Sequence, residues 1–279
     1  MPENPGAFNR KAARMDETTV FRILATVLGL VLGSFYNVCI HRGLTGESIA
    51  NPPRSKCPKC GHFLSWWENI PLVSWLMLRG RCRNCRKPIS ARYPLVEALS
   101  GAVALALAVK FGPGMTFAVY LAFSGLLIVL AFIDLASFML PLWPMIIGAV
   151  LAMVCAPLFL GIPLVDALLA AGVGAGTFWL VRWAYRRLRG IEGLGEGDIW
   201  LMLLLGPLTG LRHLPFVILA SGVSLIAFNL PMLLRQGRRD AQGNPMQTPI
   251  PYGPFLCLGA MLAILVGDDV LAWYLGTVR

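Results

Sequence analysis

Charge is scarce in this 279-residue chain: Asp, Glu, Lys and Arg make up 14% of it, where soluble domains carry about 25%. Hydrophobic residues reach 57% and the mean hydropathy is +0.68. Together these exclude a disordered chain, argue against a soluble globule, and point to a membrane protein with most of its mass in the bilayer. Histidine is nearly missing. Only His41, His62 and His213 occur, none in a nucleophile elbow or an HExxH, and no Ser-His-Asp set is evident. No GxGxxG follows a strand, so no standard nucleotide loop is present. The polar stretch Met1 to Glu17 does not read as a cleavable signal. Acidic residues are few, 14 against 24 basic ones, for a net charge of +10. In a multi-span chain that excess reads first as topology, and nucleic acid is not an expected partner.

Eight apolar runs are present, near Val20–Ile40, Pro94–Phe111, Met115–Ile133, Leu142–Gly161, Pro163–Trp183, Ile199–Leu211, Leu214–Leu234 and Pro254–Leu275. Each approaches the roughly 20 residues a spanning helix needs, and the sixth is short. The expected fold is therefore an all-α polytopic membrane protein of about eight transmembrane helices. Gly172, Gly174 and Gly176 in the fifth run read as small residues for close helix packing. Lys and Arg number 17 on one side, in His41–Tyr93, Arg182–Arg189 and Arg235–Arg239, and 7 on the other. The positive-inside rule puts the richer side in the cytoplasm and both termini outside.

The first cytoplasmic loop carries Cys57, Cys60, Cys82 and Cys85 as two CxxC pairs. Two turns that each present two thiolates close a tetrahedral site, and a reducing compartment argues against disulfides. The expectation is structural zinc with no open position, in a loop too small to fold on its own core. His62 is an alternative ligand or a solvated loop histidine. Trp66, Trp67 and Trp75 read as a small core or a belt against lipid headgroups.

Ionisable groups at membrane depth call for a function. Asp134 closes the third run and Asp198 opens the sixth, in GLGEGD, so both fall at the cytoplasmic edge on different helices. Two carboxylates in contact share a proton, one activating water while the other polarises a carbonyl, which is aspartyl-protease chemistry. Alone, Asp198 also reads as a helix N-cap and Asp134 as a snorkelling edge residue. Gly195 and Gly197 let a substrate strand approach closely. Asp166 falls on the outer side. Cys39, Cys155 and Cys257 read as packing residues.

The chain resembles the bacterial prepilin peptidases, also called type IV leader peptidases. The resemblance runs over nearly everything after about residue 24. It is carried by GLVLGSFYNVCIHR, the two CxxC pairs, ENIPLVSWLMLRGRCRNC, ISARYPLVE, Ile133-Asp134 with Leu140-Pro141, GLGEGD and IPYGPFL, in that order. It implies an inner-membrane aspartyl protease with its site facing the cytoplasm. Such an enzyme cuts the basic leader from type IV prepilins or type II secretion pseudopilins after a glycine. It then N-methylates the new terminus with S-adenosylmethionine. Carried over, the catalytic pair is Asp134 and Asp198, and the metal ligands are Cys57, Cys60, Cys82 and Cys85. The expected organisation is a periplasmic arm (1–19), a first span (20–40), a cytoplasmic tetracysteine loop domain (41–93) and a transmembrane protease core (94–279). Partners are the pilin substrates and membrane lipid. The S-adenosylmethionine site is expected in the loop near Asn69 to Gly80. Two positions depart from the family pattern: Leu142 stands where Asp is usual, and Trp200 where Lys is usual. A transporter using the two aspartates for ion coupling, or a pilus-assembly scaffold, is the alternative.

Overall fold

The computed structural model describes residues 5–48, 55–190, 194–235 and 251–277, without the side chains of 5–16, 189 and 231–235. Arg54, Gly193, Arg238, Arg239, Ile250 and the last two residues lie outside it. Nine α-helices are described. They are α1 Pro5–Thr45, α2 Val73–Met77, α3 Arg92–Phe111, α4 Met115–Ser137, α5 Leu142–Cys155, α6 Leu164–Arg189, α7 Glu196–Thr209, α8 Leu214–Arg235 and α9 Gly253–Thr277. A π-helical turn, Ala156–Leu160, extends α5. Among the described residues there is no sheet, only two isolated antiparallel bridges. Seven helices are long and apolar enough to cross a membrane, and the protein is a multi-pass membrane protein. The chain divides into two compact units, Met1–Val129 and Leu130–Arg279.

The N-terminal unit is built on α1 against α3. Gly29 and Gly33 form a GxxxG ridge, which lets helices approach backbone to backbone. A Cβ on Gly29 would sit 2.5 Å from Ala104 Cβ, and one on Gly33 would sit 2.7 Å from Glu97 Cα. From α3, Gly101 admits Leu30 in the same way. Asn37 fastens the C-terminal part of α1 to the start of α3, donating to the Tyr93 carbonyl at 3.0 Å.

The C-terminal unit is organised around α7. Its Leu201, Met202, Leu204, Leu205 and Leu208 are fully buried, and α5, α6 and α9 pack on it. The expected sixth span is thus a 14-residue helix, about 21 Å long at 1.5 Å per residue. It is enclosed by helices rather than lipid, so the full bilayer length is not demanded of it. Its ends are matched to α6, which runs antiparallel. Arg182 lies 3.6 Å from Glu196 at one end, and Asp166 accepts the Leu211 N–H at 3.1 Å at the other. The expected break before the seventh run is a turn from Gly210, whose φ of +76° suits glycine.

Of the three glycines read as packing residues in α6, only Gly174 faces a neighbour closely, with Met202 Cε 3.0 Å from a Cβ placed there. Gly172 and Gly176 look onto open space. The tight α6–α7 contact is made instead from α7, where a Cβ on Gly206 would lie 2.6 Å from the Ala171 nitrogen. Backbone cannot yield there as a flexible side chain does. Gly206→Ala should therefore destabilise the protein by about 1–3 kcal/mol, the usual range for overpacking. Gly176→Ala should be neutral or raise stability by up to about 1 kcal/mol through helix propensity. Thermal unfolding of the two variants in the same detergent checks both.

Candidate active site and metal knuckle

Asp134 sits in the last turns of α4 and Asp198 in the first turn of α7. Both are buried, 6% exposed each, and both belong to the C-terminal unit. They lie close enough for the charge of Asp134 to act on Asp198. The first residue of α9 completes the wall. Gly253 donates its N–H to Asp134 Oδ2 at 3.1 Å, at a helix N-terminus whose free N–H groups favour an anion. Only glycine fits there, because a Cβ would lie 2.7 Å from that oxygen. Gly195 plays the matching part for Asp198, its Cβ position lying 3.2 Å from Asp198 Oδ2. Gly195 is itself the residue before α7, so Asp198 folds back onto the turn rather than serving as the N-cap.

Leu140 ties the two halves together. Its side chain meets a Cβ placed on Gly197 at 3.0 Å and one placed on Gly253 at 3.3 Å. Tyr252 shares a hydrogen bond with Ser221 at 2.7 Å, stacks on Phe178 with ring centroids 6.0 Å apart, and lies within electrostatic range of Asp198. Cys257, one turn into α9 and buried, is within range of both carboxylates. Sequence reading placed Cys257 among the packing residues and gave Tyr252 and Gly253 no role at the site. The available signal was the IPYGPFL segment, which opens α9 with a glycine. Asp166 faces elsewhere, held by Leu211.

The four cysteines of the N-terminal unit converge. Their sulfurs lie within 4.8 Å of one another, with Cys57–Cys85 at 4.0 Å and Cys60–Cys82 at 3.9 Å. A tetrahedron with metal–sulfur bonds of about 2.3 Å has edges of about 3.8 Å, so the set fits a tetrahedral thiophilic ion. Each CxxC is a knuckle of the same design. The N–H of Cys57 donates to the His62 carbonyl and that of Cys82 to the Lys87 carbonyl, at 2.8 and 2.9 Å. Bridges Lys56–Phe63 and Arg81–Pro88 close them. Gly61 and Arg86 take the equivalent left-handed position, φ +72° and +56°. Burial pushes the Cys57 thiol up to about 11, while the His62 backbone draws exposed Cys60 down to about 6. His62 turns away to Glu68, 3.4 Å from its Oε2. Ser65 donates its backbone N–H to the same oxygen at 2.8 Å and holds that carboxyl below the usual range. Trp66 is 81% exposed, whereas Trp67 lies under the Arg83 guanidinium at 4.7 Å and Trp75 covers Gly80.

Fold and site define a class, a multi-pass helical membrane protein with a buried pair of carboxylates and a separate four-thiolate knuckle. Two family models match the chain: the Bacterial Peptidase A24 N-terminal domain over residues 27–111 and the Type IV leader peptidase family over residues 121–230. A protein of Aeromonas hydrophila named Prepilin leader peptidase/N-methyltransferase is 36% identical over 90% of this chain and 93% of its own length. One of the same name from Pseudomonas putida is 34% identical over 92% and 94%. One from Myxococcus xanthus is 42% identical over 78% of this chain and 65% of its own. The chain belongs to the type IV leader peptidase family. No solved structure matches it.

The knuckle geometry carries its own test. Purified protein should hold close to one equivalent of divalent metal by elemental analysis. Cys57→Ser or Cys82→Ser should remove most of it and lower the unfolding temperature. Metal-free wild type with an unchanged unfolding temperature would show that the thiolates fold the loop unaided.

Proposed function

We propose that this protein is an intramembrane aspartyl endopeptidase. It removes the leader from type IV prepilins or type II secretion pseudopilins after a glycine, then methylates the freed terminal amine with S-adenosylmethionine. It works in the bacterial inner membrane with the cleavage site facing the cytoplasm. The observation that carries the reading is that Asp134 and Asp198, from separate helices, are both buried, lie within electrostatic reach of each other and each have glycine backbone beside the carboxylate.

Asp134 and Asp198 are the catalytic pair. Two buried carboxylates this close share one proton and act as a unit. The ionised member takes a proton from water as the water oxygen attacks the scissile carbonyl carbon. The protonated member gives its proton to the carbonyl oxygen. Collapse of the resulting diol breaks the C–N bond as the amine takes up a proton and the pair returns to its starting state. The Gly253 N–H fixes one oxygen of Asp134 so that the pair stays aimed. The glycines beside Asp198 leave room for an extended substrate backbone, since a side chain at Gly195 would stand against the carboxylate. The 17 basic residues of the richer side support a cytoplasmic position for this edge, where a basic leader would lie against anionic headgroups.

Cys57, Cys60, Cys82 and Cys85 would hold a zinc ion, which would supply a structural cross-link between the two knuckles. S-adenosylmethionine supplies an electrophilic methyl group. The chain's part in that step is to bind the donor, present the neutral amine and accept the proton the amine gives up.

Asp134→Asn and Asp198→Asn should each lower leader cleavage by at least 1,000-fold while the protein remains folded and membrane-inserted, read by gel shift of a prepilin substrate. Normal processing by either variant overturns the pair. Gly253→Ala should lower cleavage by at least tenfold, because the added carbon displaces the Asp134 carboxylate. Its unfolding temperature should change far less than that of Gly206→Ala.

A further inference from the structure

The short helix α2 is built inside out. Ser74 is buried and donates its hydroxyl to the Ile70 carbonyl, and Trp75 covers Gly80. Val73, Leu76 and Met77, at i, i+3 and i+4, share the other face. All three are exposed, Leu76 by 66% and Met77 by 72%. The 3₁₀ turn Trp66–Asn69 packs on α2 and adds the exposed Trp66. A helix with its hydroxyl inward and its apolar side chains outward marks a surface that something else covers.

The surrounding charge says what covers it. From Asn69 to Val96 the chain has no Asp or Glu and six Lys and Arg. Arg79, Arg81, Arg83, Arg86 and Lys87 are all exposed. An apolar tip set among cations complements an anionic phospholipid surface, with the apolar side chains entering the acyl boundary and the guanidinium groups meeting phosphates. Tryptophan is favoured at the same border. The chain also fixes where this face stands. α1 and α3 are both long and apolar enough to span. They run antiparallel, with Gly29 against Ala104 and Asn37 against Tyr93. Both ends of the loop therefore leave the bilayer on one side, and α3 begins at Arg92, shortly after the second knuckle. A face tethered so closely meets the headgroups at high effective concentration, with no partner to recruit.

We propose that Trp66, Val73, Leu76 and Met77, with the arginines that follow α2, form a lipid-docking surface that seats the knuckle loop in the headgroup layer of an anionic leaflet. The seat requires only that α1 and α3 span the membrane and does not depend on the protease reading.

The test uses the full-length protein in nanodiscs of phosphatidylcholine with or without phosphatidylglycerol. Leu76 or Met77 is replaced by the photo-cross-linking residue benzoylphenylalanine, and the adducts are mapped by mass spectrometry. Both positions should capture lipid, with a yield about threefold higher when phosphatidylglycerol is present. Equal yields in the two compositions overturn the anionic partner. Capture of a second copy of this chain, or of an added prepilin, in place of lipid overturns the lipid surface. No adduct at either position shows a face turned to water and overturns it too. The double variant Leu76→Glu, Met77→Glu gives a second readout. It should keep the knuckle metal, which shows that the loop is folded. In nanodiscs with phosphatidylglycerol, trypsin should cut it after Arg79 and Arg81 about tenfold faster than wild type. Equal rates there overturn the seat.

Discussion

A carboxylate inside a helical membrane protein has to be held by something, and backbone N–H groups at helix starts are the donors left free. Asp134 takes one from Gly253, 119 positions further along the chain. That single bond sets much of the C-terminal unit. It requires glycine at the first residue of α9, since a Cβ would occupy the oxygen's place. It requires α9 to begin where α4 ends, which Leu140 secures by packing beside both Gly197 and Gly253. It also requires α7 to bring Asp198 to the same depth, which explains why α7 is short, buried on all sides and pinned to α6 at both ends.

The N-terminal unit follows the same rule with different outcomes. Glu68 and Glu97 are likewise buried and likewise take N–H groups, here from loop residues beside the knuckles. Those bonds make the carboxylates part of the loop's fold as well as its surface chemistry. A metal that fixes the two knuckles would also steady the loop that carries Ser65.

Much of this was legible in the letters. Spans are set by length and apolarity, so the eight runs map onto α1 and α3–α9; α1 begins 15 residues ahead of its run, and the other ends are displaced by a few residues. The turn at Gly210 falls beside the expected break at Arg212-His213. The paired cysteines converge as their spacing requires. The losses have a common cause. Gly29 and Gly33, Gly206 and Gly253 matter because of what stands opposite them in space. A run of small residues such as Gly172, Gly174 and Gly176 looks the same in sequence whether a helix faces it or open space does. Glu97 stands inside the second apolar run, and nothing local in the letters reveals that the Leu72 N–H lies against it. Cys257 reads as a packing residue for the same reason, and Tyr252 is given no role.

The two departures from the family pattern are best understood together. Leu142 begins α5 and is 42% exposed; Trp200 stands near the start of α7 and is partly buried. These helices pack on each other. Leu in place of the expected Asp and Trp in place of the expected Lys remove one charge of each sign. With both gone, the local charge balance is unchanged. Losing both members of a polar pair to apolar groups costs far less than losing one. An apolar Leu142 and Trp200 in place of an acid and a base thus leave the net charge of these two packed helices as the family pattern has it.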